Sequence, residues 1–187
     1  MPLRKMPRGS MLIAVLAIVI GSVALDQITK AIVVSNMALH EEIAFLPGFM
    51  RFYHTQNTGA AFSMLSGHRW VFMVFSVVAM GLIVYLLFRF HGRHPMLSVS
   101  LAAVLGGGIG NMIDRVLNGY VVDFLDFQFM EFAVFNVADI FVTCGTAALA
   151  VYILFVEPRV EKRLAKQQAL QETPTGEPHD TDEQGNA

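Results

Sequence analysis

The chain has 187 residues, of which 55% are hydrophobic and 15% charged, with a formal net charge of −2 and a single cysteine. Its mean hydropathy is +0.54, far from the balance of an ordinary soluble domain. These values exclude an intramolecular disulfide and give no bias toward nucleic acid, and they predict a polytopic membrane protein built as one helical bundle.

Arg4, Lys5 and Arg8 precede an apolar run that starts at Met11. Alone, that run could pass for a secretory signal peptide. It continues through Asp26, Gln27 and Lys30 into Ala31-Ile32-Val33-Val34, with no small-residue cleavage site, and residues 11–34 are long enough to span a bilayer. Asp26 and Lys30 lie four apart on this helix and share a face, as an ion pair would.

Residues 35–69 form a long connection. Phe49-Met50-Arg51-Phe52-Tyr53-His54 alternates in part, between the turn signals Pro47-Gly48 and Asn57-Thr58-Gly59. One or two short strands outside the membrane are expected. A second helix, about residues 70–88, carries no charge, and a basic turn from Arg89 to Pro95 follows.

The third helix, about residues 96–113, contains Gly106, Gly107, Gly108 and Gly110. A dinucleotide fingerprint does not fit, because Asn111 stands where the third glycine belongs and no strand precedes it. Gly106 and Gly110 have the spacing that lets membrane helices approach closely. Asn111 and Arg115, at the end of this helix, share a face.

Residues 111–139 hold the densest acid cluster, with Asp114, Asp123, Asp126 and Asp139 beside apolar runs. An ionised carboxylate in a membrane is expensive, so a functional role is the first hypothesis. Asp114 is expected to be neutralised by its neighbour Arg115, and Asp126 to lie in a loop. A fourth helix, about residues 133–156, carries Asn136, Asp139 and Thr143 on one stripe that should face the bundle interior. Glu157-Pro158 ends it. A charged stub (157–171) and a disordered acidic tail (172–187) follow.

Basic residues set the orientation. Arg4, Lys5 and Arg8, then Arg89 and Arg93, then Arg159, Lys162, Arg163 and Lys166 flank one side, against Arg51, Arg69 and Arg115 on the other. Both termini should be cytoplasmic. At about 1.5 Å per residue, Asp26 lies roughly 22 Å beyond Met11 and Asp139 about 9 Å into its helix. The polar groups therefore converge near the extracytoplasmic face.

His54 stands alone beside the carboxylates, without metal-ligand spacing, and neither Cys144 nor any serine has a placed base. Carboxylate chemistry remains: two close aspartates cannot both ionise cheaply, so one holds a proton while the other activates water. Asp123 and Asp139 are the candidate pair, with Asp114 and Asp126 as competitors that spacing does not exclude. The rival from another class is a small ion-coupled transporter, which would also bury Asp and Asn in a bundle. It would need a polar path through the membrane, and the second helix offers none.

Five motifs in order carry a family resemblance: Asp26-Gln27-x-Thr29-Lys30, Asn57-x-Gly59-Ala60-Ala61-Phe62, Gly107-x-x-Gly110-Asn111-x-x-Asp114-Arg115, Val122-Asp123-Phe124 and Phe135-Asn136-x-Ala138-Asp139. Together they closely resemble bacterial lipoprotein signal peptidase, signal peptidase II. The resemblance implies an all-α polytopic protein of the inner membrane, with four transmembrane helices in residues 11–156 and a small extracytoplasmic β element. The arm at residues 1–10 lies outside it. It further implies an aspartic endopeptidase, without metal or cofactor, that cuts prolipoproteins just before a lipid-modified cysteine, with membrane lipids around it. Asp123 and Asp139 would be the catalytic pair. Asp26, Lys30, Asn57, Gly59, Gly110, Asn111, Asp114, Arg115 and Asn136 would support them or the substrate.

Overall fold

The structure is a computed structural model that describes residues 8–59, 69–90 and 93–172. Arg4 and Lys5 of the arm, Ala60-Ala61-Phe62 of the second motif and the tail beyond residue 172 lie outside the described residues. The elements run α1 (Arg8–Asn36), β1 (Glu42–Leu46), β2 (Met50–Asn57), α2 (Arg69–Arg89), α3 (Pro95–Leu117), β3 (Val121–Phe127), α4 (Val137–Val151), a π-helical turn (Tyr152–Val156) and α5 (Glu157–Glu172). Residues from Val151 onward form a second compact unit, in which α5 is polar and mostly exposed.

The chain is mostly helical with a small sheet. Three helical stretches are long and apolar enough to cross a membrane: Gly9–Asn36, Pro95–Leu117 and Val137–Ala169. A shorter apolar stretch, Met73–Arg89, lies within α2. Large apolar side chains stand exposed on the helices, among them Ile13, Ile20 and Ile32 on α1 and Phe75, Val78 and Phe88 on α2. A soluble monomer rarely exposes so much contiguous apolar surface, whereas hydrocarbon accepts it.

The glycines of α3 explain how the helices pack. A Cβ added to Gly106 would stand 1.8 Å from Ser22 Oγ, and one on Gly110 would stand 2.6 Å from Asp26 Oδ2, so both glycines face α1. At Gly107 it would meet the carbonyl oxygen of Ala138 at 2.4 Å, so that glycine faces α4. Gly145 answers from α4, where a Cβ would lie 2.8 Å from Val104 Cγ2. Small residues thus admit α1 and α4 to adjoining sides of α3, and a Cβ on Gly110 would meet both Asp26 of α1 and Ala138 of α4.

The sheet is antiparallel in the order β1-β2-β3. Val33 and Met37 at the end of α1 bury against Val122 and Phe124 of β3, which seats the sheet on that end of the helix. One or two strands were expected, in residues 35–69; β3 is an addition. It pairs with β2 from Met50↔Phe127 to Asn57↔Val121 across a register shift between Phe52 and Thr55. Asp123 and Asp126 therefore lie on a strand and not in a loop.

Helix α4 begins at Val137, later than the expected residue 133. Phe135 is drawn into an isolated bridge with Leu125 of β3, and Asn136 then caps the helix. The buried side of α4 runs through Ala138 and Gly145; of the expected interior stripe, Asn136 is buried and Asp139 half-buried, whereas Thr143 is exposed.

Candidate active site

The site is built where α1, α3, β2, β3 and the start of α4 meet. Asn136 and Asp139 form a capping box: the Asp139 main-chain N–H donates to Asn136 Oδ1 (3.0 Å), and the Asn136 N–H donates to Asp139 Oδ2 (3.2 Å). An Asn at the cap with an acid three residues on satisfies two otherwise orphan donors. Asp139, in the first turn, is also placed where the helix dipole favours negative charge. The same Asn136 donates through Nδ2 to Asp123 Oδ1 at 2.6 Å. One residue therefore holds both carboxylates.

Asp123 is buried on β3 and accepts a second hydrogen bond, from Asn57 Nδ2 to Oδ2 at 2.9 Å. Asn57 is itself fixed, because its Oδ1 accepts the Gly59 N–H at 2.9 Å. Gly59 has φ +95°, a conformation that glycine alone adopts without strain. Burial pushes the Asp123 carboxyl up from 3.8 to about 6; the Asn57 hydrogen bond opposes this, and the negative charge of Asp139 adds to it. Asp139 is half-buried and accepts from Asn111 Nδ2 to Oδ1 at 2.8 Å.

Beneath the two aspartates lies a buried ionic network. Lys30 Nζ contacts Asp26 Oδ2 at 2.9 Å, Asp114 Oδ2 at 3.0 Å and Asn111 Oδ1 at 2.9 Å. The i,i+4 pair expected on α1 is present. Asp26 Oδ1 also accepts the Ala138 N–H (2.9 Å), one of the unpaired N-terminal donors of α4. Gly110 leaves room for this carboxylate. Asp114 accepts the Val122 N–H at 3.1 Å and so ties the end of α3 to β3.

Two expectations about charge are corrected. Asp114 pairs with Lys30 and not with Arg115, because consecutive helix residues point in different directions. Arg115 donates to the Asn111 main-chain carbonyl at 3.3 Å and makes no ion pair with a carboxylate among the described residues. Asp126 is buried and bound by Arg51, Nε to Oδ2 at 2.7 Å, and Arg51 also reaches Glu42. This pair lies farther along the sheet than Asp123 and shares none of its hydrogen-bond partners.

The structure thus joins Asp26, Lys30, Asn111, Asp114, Asn136, Asp123, Asp139 and Asn57 in one hydrogen-bonded network. Gln27 belongs to it as well and had not been singled out for the site. Its Nε2 contacts Asp26 Oδ2, the Gly110 carbonyl and Asp114 Oδ1 at 3.1, 3.2 and 3.0 Å. A polar residue beside Asp26 at membrane depth was a signal that could have found it. His54 is buried with Nδ1 against the Met37 carbonyl at 3.0 Å, outside this network.

Two carboxyls of unequal burial, held by shared amides at the edge of a bundle, can divide acid and base roles on one water molecule.

A sequence profile described as Signal peptidase (SPase) II matches residues 18–155. The lipoprotein signal peptidase of Symbiobacterium thermophilum is 48% identical over 149 residues, covering 79% of this chain and 97% of that protein. Its counterpart in Listeria monocytogenes serotype 4b is 43% identical over 147 residues, covering 78% and 95%. Two solved structures, each described as a bacterial membrane enzyme determined by the in meso method, share the fold. One, at 1.9 Å resolution, has a TM-score of 0.72 and 30% identity, covering 75% of this chain and 92% of the other. The second, at 2.3 Å, has a TM-score of 0.69 and 27% identity, covering 87% and 94%.

Proposed function

The chain belongs to the signal peptidase II family, the lipoprotein signal peptidases, and from that premise we propose that Asp123 and Asp139 are its catalytic pair. The protein is a membrane peptidase that removes signal peptides from prolipoproteins. The observation that carries the assignment is the double grip of Asn136, which binds Asp123 through its side chain and Asp139 through its main chain.

Asp123 carries the shared proton, since it is the more buried of the two and its carboxyl is pushed up to about 6. Asp139 is the carboxylate. It takes a proton from water as the water oxygen attacks the scissile carbonyl, while Asp123 gives its proton to the carbonyl oxygen. The resulting diol collapses as the C–N bond breaks and a proton passes to the departing nitrogen. The products are a signal peptide with a free carboxyl and a lipoprotein whose lipidated cysteine has a free amine. Asn57 and the capping geometry of Asn136 keep the pair aligned. Arg115, free of any carboxylate partner among the described residues, is placed to hold substrate backbone.

In the membrane, α2 serves as a fourth span beside the three long helices, and residues 11–156 act as the peptidase domain. Residues 1–10, 157–171 and 172–187 lie on the cytoplasmic side as arm, charged stub and acidic tail. Both termini are cytoplasmic, and the sheet with its aspartates stands at the extracytoplasmic face of the inner membrane. This orientation gives water access to the site while the signal peptide lies in lipid. Membrane lipids surround the apolar faces of the helices.

Purified protein incubated with a diacylglyceryl-modified precursor tests the reading. Cleavage immediately before the modified cysteine that persists in chelator supports it, and cleavage abolished by chelator and restored by metal contradicts it.

A further inference from the structure

We propose that Lys30 is a positioning residue, which holds the Asn111 carboxamide with its nitrogen toward Asp139 and thereby keeps Asp139 as the carboxylate of the pair. This rests on the dyad reading above.

The ammonium of Lys30 has three donors and no acceptor. It is 4% exposed, and its three donors meet three oxygens: Asp26 Oδ2, Asp114 Oδ2 and Asn111 Oδ1. The third contact is the informative one. An asparagine can turn its oxygen and nitrogen about, and only its partners decide which way it points. Asn111 Oδ1 receives two donors, Lys30 Nζ at 2.9 Å and Asn136 Nδ2 at 3.1 Å. A flip would press the Asn111 amino group against both of them. It would also present an oxygen to Asp139, which is tolerable only if that carboxyl were protonated. Asn111 Nδ2 therefore stays 2.8 Å from Asp139 Oδ1.

The second asparagine is locked independently. Asn136 Oδ1 accepts the Asp139 main-chain N–H, a donor that cannot reverse, so Nδ2 must face Asp123 and Asn111. The orientation of one amide is set by the helix cap, and that of the other by an ammonium together with the Asn136 amide so fixed.

The charged groups on the surrounding elements are Asp26 and Lys30 on α1, Asp114 and Arg115 on α3, and Asp123 on β3. Arg51 on β2 is engaged with Asp126 and Glu42. Arg115 reaches Asn111 only at its main-chain carbonyl, so it does not orient the carboxamide. Among the described residues, Lys30 alone of these cations touches the Asn111 side chain.

The test is the pH profile of kcat/KM on a lipidated precursor. Lys30→Met alone leaves Asp26 and Asp114 facing each other, so it is paired with Lys30→Met/Asp114→Asn, which keeps the net charge of the cluster. Either folded variant should displace the acidic limb from its wild-type position, because the hydrogen bond from Asn111 Nδ2 to Asp139 is no longer held from the Lys30 side. KM should stay within about two-fold while kcat falls, and Asn111→Leu should cost less in the Lys30→Met background than in wild type. In wild-type protein labelled with 15N-asparagine, the Asn111 side-chain NH2 signal should titrate along the same acidic limb. An acidic limb that stays in place in the folded variants overturns the role of Lys30, and so does an Asn111 signal that ignores it. If Asp123→Asn and Asp139→Asn proteins are inactive in the same assay, that failure belongs to Lys30 alone; if they are active, the dyad reading itself has failed.

Discussion

Asp123 and Asp139 are tied to each other through one intermediary: Asn136 donates to Asp123 Oδ1 at 2.6 Å and, from its main chain, to Asp139 Oδ2 at 3.2 Å. The strand and the helix that carry the two acids are thereby clamped to each other.

The burial of Asp123 predicts a pH-dependent stability. Its folded value, about 6, lies above the ordinary 3.8, so the fold favours the protonated form. The contribution is full below pH 3.8 and is lost as pH rises through about 6, up to about 3 kcal/mol for a shift of this size. Asp123→Asn removes the titration. The Tm of wild type relative to Asp123→Asn should therefore fall between about pH 4 and 6, and a difference that is flat with pH would show that Asp123 is not desolvated.

The pH profile of catalysis should have two limbs belonging to the pair. For free enzyme, kcat/KM should decline above about pH 6, as Asp123 gives up the proton it must donate. A profile rising steadily to pH 9 would contradict the role of Asp123 as acid.

The glycines of α3 should separate sharply. Gly107→Ala would force a methyl to within 2.4 Å of the Ala138 carbonyl oxygen, a main-chain atom that cannot swing away. It should cost about 2 kcal/mol or more and lower activity by displacing the start of α4. Gly108→Ala would meet only Met80, at 3.5 Å, and should be neutral or stabilising by up to about 1 kcal/mol. Thermal unfolding in detergent of the two variants decides it.

Much of this arrangement was legible in the chain itself. The Asp26–Lys30 pair and the Gly106/Gly110 approach follow from helical periodicity, which is local. Asp126 was misplaced in a loop because its partner Arg51 lies 75 residues away, and its strand pairs with β2 across a register shift that no local pattern reveals. The link from Asp114 to Lys30 is likewise non-local, and the adjacent Arg115 was a false partner for reasons of helix geometry. Asn136 is interior, as helical periodicity suggests, but its place at the cap of α4 is not legible locally, because tertiary pairing of Phe135 with Leu125 ends the extended segment there.

Cys144 is exposed on α4, away from the polar network. Cys144→Ala should leave cleavage within about two-fold of wild type, since surface changes away from structural features have small effects. Loss of activity in a protein that still inserts would point to thiol chemistry.

The orientation is open to reporter fusions. Fusions after Phe88 and Val156 should read cytoplasmic, and fusions near Glu42 and Asp126 extracytoplasmic, as the distribution of Lys and Arg requires. The reverse pattern would put the aspartates on the side where signal peptides are not removed.

The most direct test is single-turnover cleavage of a lipidated precursor by Asp123→Asn, Asp139→Asn and the double variant, each first shown to be folded and inserted. Both single variants should lose at least about a thousand-fold in rate, and the double variant little more, because the two carboxyls act as one unit. Cleavage by Asp139→Asn at a near wild-type rate would contradict the dyad.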